Sequence, residues 1–292
     1  YEHKLLYIFL GILGLYTILS TFYNSKYNGV RRKIQIASWS EPAEGPIFAL
    51  AELDATAIKD YVAKSKKTDT PVSVTAIVLK AVGEGLAVAP DLNGRICFGK
   101  YVPFETVDIS CLVNVEDGKD LAFMTIPEVD KKTIEDVAEF MKGRADKLRK
   151  NQDQDHKKQT GMARSLPTFL LAMMLEFSTF ITVTLGISIP AMSLKKFPFG
   201  GAMVTSVGMM GYRDVIAPFT PFAKVPLLLV VGSIEDKPVV RDGKIVIAPM
   251  LGITITIDHR YMDGGKAKLI SDRMKDVAAN PDKYSRAAKQ KQ

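Results

Sequence analysis

Residues 251–264 read LGITITIDHRYMDG and constrain the fold of this chain more than any other stretch. Leu251, Ile253, Ile255 and Ile257 alternate with Gly252, Thr254, Thr256 and Asp258. A period of two specifies a strand with one apolar face. His259 has the parity of the isoleucines, so burying that face would place its imidazole where little water reaches. Asp263 follows four residues later, and Gly264-Gly265 permit a tight turn. An imidazole at the end of a buried strand is a candidate general base. A hydrogen-bonded core histidine has the same signature, so both readings stand at this point.

The 292 residues suffice for one large domain or two small ones, and 47% apolar residues give a globular chain with a large core. The net charge of +7 suits nucleic acid, anionic lipid or a phosphorylated cofactor. No nucleic-acid motif accompanies it. Cys97 and Cys111 are the only cysteines, too few for a disulfide framework or a zinc site, and a reducing compartment fits.

Residues 5–23, LLYIFLGILGLYTILSTFY, carry no charge, which is about enough helix to cross a hydrocarbon core of roughly 30 Å. Lys26, Arg31, Arg32 and Lys33 follow, so the positive-inside rule puts the rest of the chain on the cytoplasmic side, or the matrix side of an organelle. The expectation is a single-pass membrane protein, with residues 1–30 as anchor and linker and residues 31–292 as the folded domain. An uncleaved signal sequence or a buried helix are the alternatives. No A-x-A-like cleavage site follows.

Residues 34–150 read as an α/β unit. Strands are expected at 46–54, 102–114 and 121–126, and helices from Asp54 to about Lys64, over 73–89, and from the Thr133/Asp136 capping box to about Arg149. Residues 166–194 form a second apolar segment whose one charge is Glu176. Two helical crossings need about 40 residues, so this insert, at about 163–197, is expected as a membrane-apposed helix or hairpin, with an ordinary buried helix pair as the alternative. Beyond it, Gly200-Gly201 opens a strand that runs through Thr205 and Ser206 to Gly208 and Gly211. Further strands are expected at 226–232 and, around the Asp242-Gly243 hairpin signal, at 238–240 and 245–247. A helix over 269–279 precedes a tail expected to be solvated.

Asp258-His259-Arg260 with Asp263-Gly264 resembles the D-H-R-x-x-D-G signature of the acyltransferase catalytic domain of 2-oxoacid dehydrogenase complexes. Chloramphenicol acetyltransferase shares the H-x-x-x-D-G part. Gly200–Gly211 is similar to the family's G-T-F-T-I-S-N-x-G segment, PLLLVVGSIED at 226–236 to its next strand and turn, residues 72–93 to its V-T-x₆-K-A helix ending in P-x-x-N, and VDISCLVNV at 107–115 to its V-D-I-x-V-A-V strand. The matches run in order over roughly residues 40–285.

The resemblance implies an α/β (α+β) fold of the chloramphenicol acetyltransferase kind: a mixed sheet covered by helices, assembled as a homotrimer with active sites between subunits. It implies that His259 Nε2 takes the proton of a thiol, usually that of coenzyme A, so that coenzyme A or acyl-coenzyme A is the substrate. Thr205 falls on the family's oxyanion-stabilising serine, with Ser206 beside it. Asp263, Arg260, Asp258 and Gly264 complete the motif, with Asp263 and Arg260 holding the loop. No metal is implied. The residues given carry no lipoyl domain, so no lipoyl group is expected on this chain. Membrane lipid is an expected partner and nucleic acid is not. The polar tail at 285–292 replaces the apolar C-terminus that joins trimers in the family's cages, leaving a higher-order assembly open. Two functional readings remain: a membrane-anchored acyltransferase of unknown acyl group and acceptor, and a non-catalytic trimeric or cage-forming scaffold with a vestigial site.

Overall fold

A computed structural model describes residues 46–97, 100–115, 120–150, 153, 160, 161, 163–261 and 264–290, together with 7, 10–12, 14 and 15. The expected span at 5–23 therefore falls mostly outside the described residues. Those of it that are described are helical and exposed, and among the described residues no helix is long and apolar enough to cross a membrane.

Six strands form one mixed sheet, in the order β1-β8-β7-β6-β4-β5. They are β1 (Pro46–Asp54), β4 (Ile109–Val115), β5 (Asp120–Ile126), β6 (Ala202–Ser206), β7 (Leu227–Arg241) and β8 (Lys244–Asp258). β6 runs parallel to β4 and to β7, and the remaining pairs are antiparallel. β2 (Gly94–Cys97) and β3 (Lys100–Pro103) make a separate two-stranded ribbon.

The sequence predicts one strand over 102–114. The structure breaks it at 104–108, because the backbone there bonds outside any ladder: Phe104 N donates to Asn93 O at 2.7 Å, and Val107 O accepts from Val129 N at 2.8 Å. The hairpin expected around Asp242-Gly243 is the end of a much longer one, since β7 and β8 each run fifteen residues. Asp242 (φ 51°) and Gly243 (φ 75°) supply the two positive φ angles of a type I′ turn.

Helices α1 (Thr56–Ser65), α2 (Val74–Val88), α3 (Ile134–Arg149) and α5 (Gly264–Ala279) pack with the main core. Their starts are where the sequence puts caps. Asp54 Oδ1 accepts from Thr56 N at 2.9 Å, Ser73 Oγ from Ala76 N at 3.2 Å, and Thr133 and Asp136 form the reciprocal capping box. α2 is central and largely buried, and its Lys80 is held by Glu84 at 2.7 Å and Asp130 O at 2.7 Å. α5 starts at Gly264, five residues earlier than the apolar pattern indicates.

The other face of the sheet is also covered, so residues 227–232 of β7 are buried throughout. Met203 and Leu228 pack there against Phe199, Phe222, Ala223 and Val225. The chain at 212–219 crosses this face. Tyr212 O accepts from Ser233 N at 2.9 Å, Val215 O from the Thr254 hydroxyl, and Ala217 O from Thr256 Oγ1 at 2.7 Å. The threonines that look like the polar side of the strand are thus 2% exposed and bonded to a crossing segment. Gly252 lies under it: a Cβ there would sit 2.9 Å from Arg213 O.

The apolar insert forms α4 (Thr168–Thr179), continued by a π-helical turn at Phe180–Thr184. It lies along the protein, with Leu171, Thr179, Thr182 and Val183 buried and Thr179 Oγ1 donating to Phe222 O at 2.9 Å. The tail is not free in solvent as expected. Arg286 pairs with Asp136 at 2.6 Å and Glu139 at 3.0 Å, and its backbone N–H donates to Glu135 at 2.8 Å.

Candidate active site

The sequence predicts His259 at the sheltered end of a strand. The structure places it one residue past β8, in an exposed turn. The ladder on the β7 side explains this. β7 begins at Leu227 opposite Ile257, so it has no strand residue opposite His259, and on the other side the described pairing with β1 reaches Pro46 opposite Asp258. The side chain is exposed although its parity is that of the core isoleucines.

The turn around it is well fixed. Asp258 N donates to Pro226 O at 2.9 Å, and Tyr261 N donates back to Asp258 O at 3.0 Å. Asp258 Oδ1 accepts from Arg260 N at 3.0 Å, and the Arg260 guanidinium grips both carboxylate oxygens, at 2.6 Å from Nη2 to Oδ2 and 3.0 Å from Nε to Oδ1. The resemblance gave Arg260 a loop-holding role, and its partner is Asp258. Asp263 lies outside the described residues.

A third tie was not legible in the sequence. Tyr261 Oη accepts from Ile96 N on β2 at 3.1 Å, and its ring meets Tyr101 of β3 edge-on at 6.1 Å. Burial holds the phenol above its ordinary pKa range, so the hydroxyl stays protonated at neutral pH. Next to Ile96, the Arg95 guanidinium donates to Val183 O at 2.9 Å and to Thr184 O, and lies 4.9 Å over the Phe197 ring. The small β2–β3 ribbon therefore joins the His259 turn to the end of the apolar insert. A hydroxylated ring inside the motif was the only signal for Tyr261, and no periodicity marks the ribbon or Arg95.

Thr205 and Ser206 lie on β6, half-buried, paired with Val230 and Val231. Gly200 and Gly201 precede them because nothing larger fits. Gly200 has φ +67° against the Asp108 backbone, and Gly201 N donates to Asp108 O at 2.9 Å. Ala202, Leu227 and Ile257 are level across β6, β7 and β8. Thr205 lies up β6 from that level and His259 lies down from it, two strands away. At about 3.3 Å per residue and 4.8 Å per strand, they are roughly 15–20 Å apart. Within one chain the base candidate and the hydroxyl candidates do not meet. A shallow, open hollow beside Lys80, Lys131, Lys132 and Tyr284 involves none of them.

Comparison with known proteins follows the same line. The family model for 2-oxoacid dehydrogenases acyltransferase (catalytic domain) matches residues 23–162 and 192–285. The dihydrolipoyllysine-residue acetyltransferase component of the pyruvate dehydrogenase complex of Rickettsia bellii is 24% identical over 193 residues, 66% of this chain and 36% of that protein. The Staphylococcus aureus protein of the same description is 38% identical over 66 residues, 22% of this chain and 15% of its own length. The chain thus spans about a third or less of these relatives. Among solved structures, a probable dihydrolipoamide acetyltransferase from Listeria monocytogenes superposes with a TM-score of 0.61 at 21% identity, covering 89% of this chain and 94% of that one. An Azotobacter vinelandii dihydrolipoamide acetyltransferase, studied for the role of a serine, a histidine and an asparagine in its catalytic mechanism, has a TM-score of 0.58 at 19% identity, covering 86% and 85%. The cubic core of the pyruvate dehydrogenase multienzyme complex matches at 0.61 and 20% identity, covering 86% of each. These likenesses establish the mixed α/β fold.

Proposed function

The chain belongs to the family of 2-oxoacid dehydrogenase acyltransferase catalytic domains, and from that premise we propose that it transfers an acyl group between coenzyme A and a second acceptor, with His259 as base. The observation that carries this reading is the split of the motif residues. His259 stands exposed in a braced turn at one end of the sheet, and Thr205 and Ser206 stand two strands away on β6, several residues in from that end. Two halves so separated are complementary between copies, and a homotrimer with one site at each subunit boundary brings them together. A further assembly of trimers is compatible with this reading and is not required by it.

In that site the thiol S–H gives its proton to His259 Nε2. A free thiol has a pKa of about 8.5 and is mostly protonated at neutral pH, so a positioned base supplies the thiolate. The thiolate attacks the thioester carbonyl carbon and forms a tetrahedral oxyanion. The hydroxyl of Thr205 from a neighbouring copy, with Ser206 beside it, donates to that oxygen. Collapse expels the second thiolate, which recovers the proton from the imidazolium. The Azotobacter protein's histidine and asparagine are four residues apart, as are His259 and Asp263, which supports a loop-holding role for Asp263. Gly264 lets the chain turn directly into α5. Coenzyme A is a substrate here, and a lipoyl group, if it takes part, arrives on another domain.

We also take the uncharged residues 5–23 and the basic cluster after them as a single-pass anchor, with the catalytic domain on the cytoplasmic or matrix side. The test of the chemistry is acetyl exchange between acetyl-coenzyme A and free dihydrolipoamide. His259→Ala should lower kcat by about 10²–10⁴ while the oligomer persists. A variant that retains the rate removes His259 as base, and wild-type protein that neither binds nor turns over acyl-coenzyme A restores the scaffold reading.

A further inference from the structure

Set against the matched residues, the family model leaves out residues 1–22, 163–191 and 286–292. The first two are the two apolar stretches of the chain. The second is α4 with its π-helical turn, and its apolar character does not end where the protein does. Phe169, Leu170, Met173, Phe177 and Phe180 are 46%, 40%, 65%, 63% and 41% exposed, at spacings that gather them on one side of the helix. Leu171, Thr179, Thr182 and Val183 face the protein. The helix is pinned at its C-terminal end, by Thr179 to Phe222 O and by Arg95 to the carbonyls of Val183 and Thr184. It lies flat, with a row of large apolar side chains outward.

We infer that this face sits in the interfacial layer of a lipid bilayer, the membrane that residues 5–23 enter. The inference rests on the anchoring part of the reading above and not on the chemistry. Three observations favour lipid over a second copy of the chain. The match leaves this helix out of the family model, so the surfaces shared with the family's assemblies do not include it. The other stretch left out, at the N-terminus, is long enough to enter a bilayer and brings the domain to it. The charges also fit. Lys195 and Lys196 are exposed beside the end of the helix, where Phe197 N donates to Thr182 O at 3.1 Å, and they suit anionic headgroups. Glu176 is the single acid in the helix and stays exposed, as a residue at headgroup level would. Ile187, 54% exposed, extends the apolar surface toward the lysines. The consequence reaches the site: the strand whose Arg95 holds this helix also holds Tyr261 through Ile96, so the lipid-facing helix and the His259 turn share one support.

The experiment uses the full chain, whose one tryptophan, Trp39, is replaced by Phe. Phe177→Trp then reports on the helix face, and Val240→Trp, at the exposed end of the β7–β8 hairpin, serves as the control. Each protein is reconstituted into vesicles of phosphatidylcholine with a minority of phosphatidylglycerol, with and without brominated acyl chains. The Phe177→Trp emission should fall by about twofold or more in brominated vesicles and shift to the blue, as for a ring among acyl chains, while the Val240→Trp emission stays unchanged. Protein that floats with the vesicles but keeps an unquenched Phe177→Trp emission overturns the inference and leaves the anchor standing. Protein that does not float overturns both. An emission already shifted to the blue in the detergent-solubilised oligomer, and insensitive to bromine, assigns the face to a second copy. None of these readouts depends on turnover, so failure of the chemistry remains separate.

Discussion

Removing the Asp258 carboxylate should cost activity without costing the fold. In Asp258→Ala the Arg260 guanidinium loses both oxygens and the Arg260 N–H loses its acceptor, so the residues on either side of His259 are released together. The Arg260 side chain is 71% exposed, which limits the ion pair to at most about 1 kcal/mol. The backbone hydrogen bond contributes about another 1 kcal/mol. All of that is stored in the turn. If it goes into holding the imidazole in place, about 2 kcal/mol corresponds to a roughly 30-fold fall in kcat, with KM little changed. Asp258→Asn keeps an oxygen for Arg260 N and loses the charge, so its deficit should be about fivefold. The melting temperature should move by no more than about 4 °C in either variant. Acetyl exchange with acetyl-coenzyme A, measured beside calorimetry, checks this. A rate within twofold of wild type in Asp258→Ala would refute the reasoning. So would a loss as large as that of His259→Ala in a folded oligomer, because Asp258 would then belong to the chemistry.

Three further predictions concern the supports. Arg95→Ala uncaps Val183 and Thr184 and removes the guanidinium from Phe197, so amide exchange at 180–186 should accelerate by about tenfold; unchanged exchange would show that the insert does not need the ribbon. Burial pushes the Cys111 thiol up to about 12, whereas Cys97 is half-exposed, so iodoacetamide at pH 8 should label Cys97 and reach Cys111 only on unfolding, as peptide mapping would show. The Arg286 clamp should open in acid. Hydrogen bonding from Arg286 lowers the Glu139 pKa. For Asp136, burial pulls upward, and Arg286 and Thr133 outweigh it. Carboxyls depressed in the folded state add stability above their unfolded pKa, and that stability is lost as pH falls through the folded value. Protection of residues 286–290 should therefore persist at neutral pH and fade below about pH 4, and Arg286→Ala should lack it throughout.

The elements that follow from local rules were legible. β1, α2, α3 and the apolar face of β8 read directly from period and caps, since the capping bonds of Ser73, Thr133 and Asp136 are made to neighbours in sequence. What was not legible depends on partners distant in the chain. The exposure of His259 follows from where β7 begins, and its own parity says nothing of that. Thr254 and Thr256 alternate like surface residues and are buried, because residues 212–219 supply carbonyls to them. The β2–β3 ribbon is too short for a period, so the tie from Ile96 to Tyr261 had no sequence signal. The polar tail reads as solvated because its anchors, Glu135, Asp136 and Glu139, lie some 150 residues earlier.

The register of β1 against β8 also sets the order of events during synthesis. Pro46 pairs with Asp258, the residue before His259, across about 210 positions of chain. A nascent chain emerging from the ribosome at about 5–20 residues per second exposes β1 for ten seconds or longer before its partner exists. Until then the edge strand, with Phe48 and Leu50 outward, waits unpaired. Closing so long a loop comes late in folding. The histidine turn is therefore among the last parts of the domain to be set, and a ribosome-stalled fragment ending before β8 should contain α2 and α3 in folded form and no site at all.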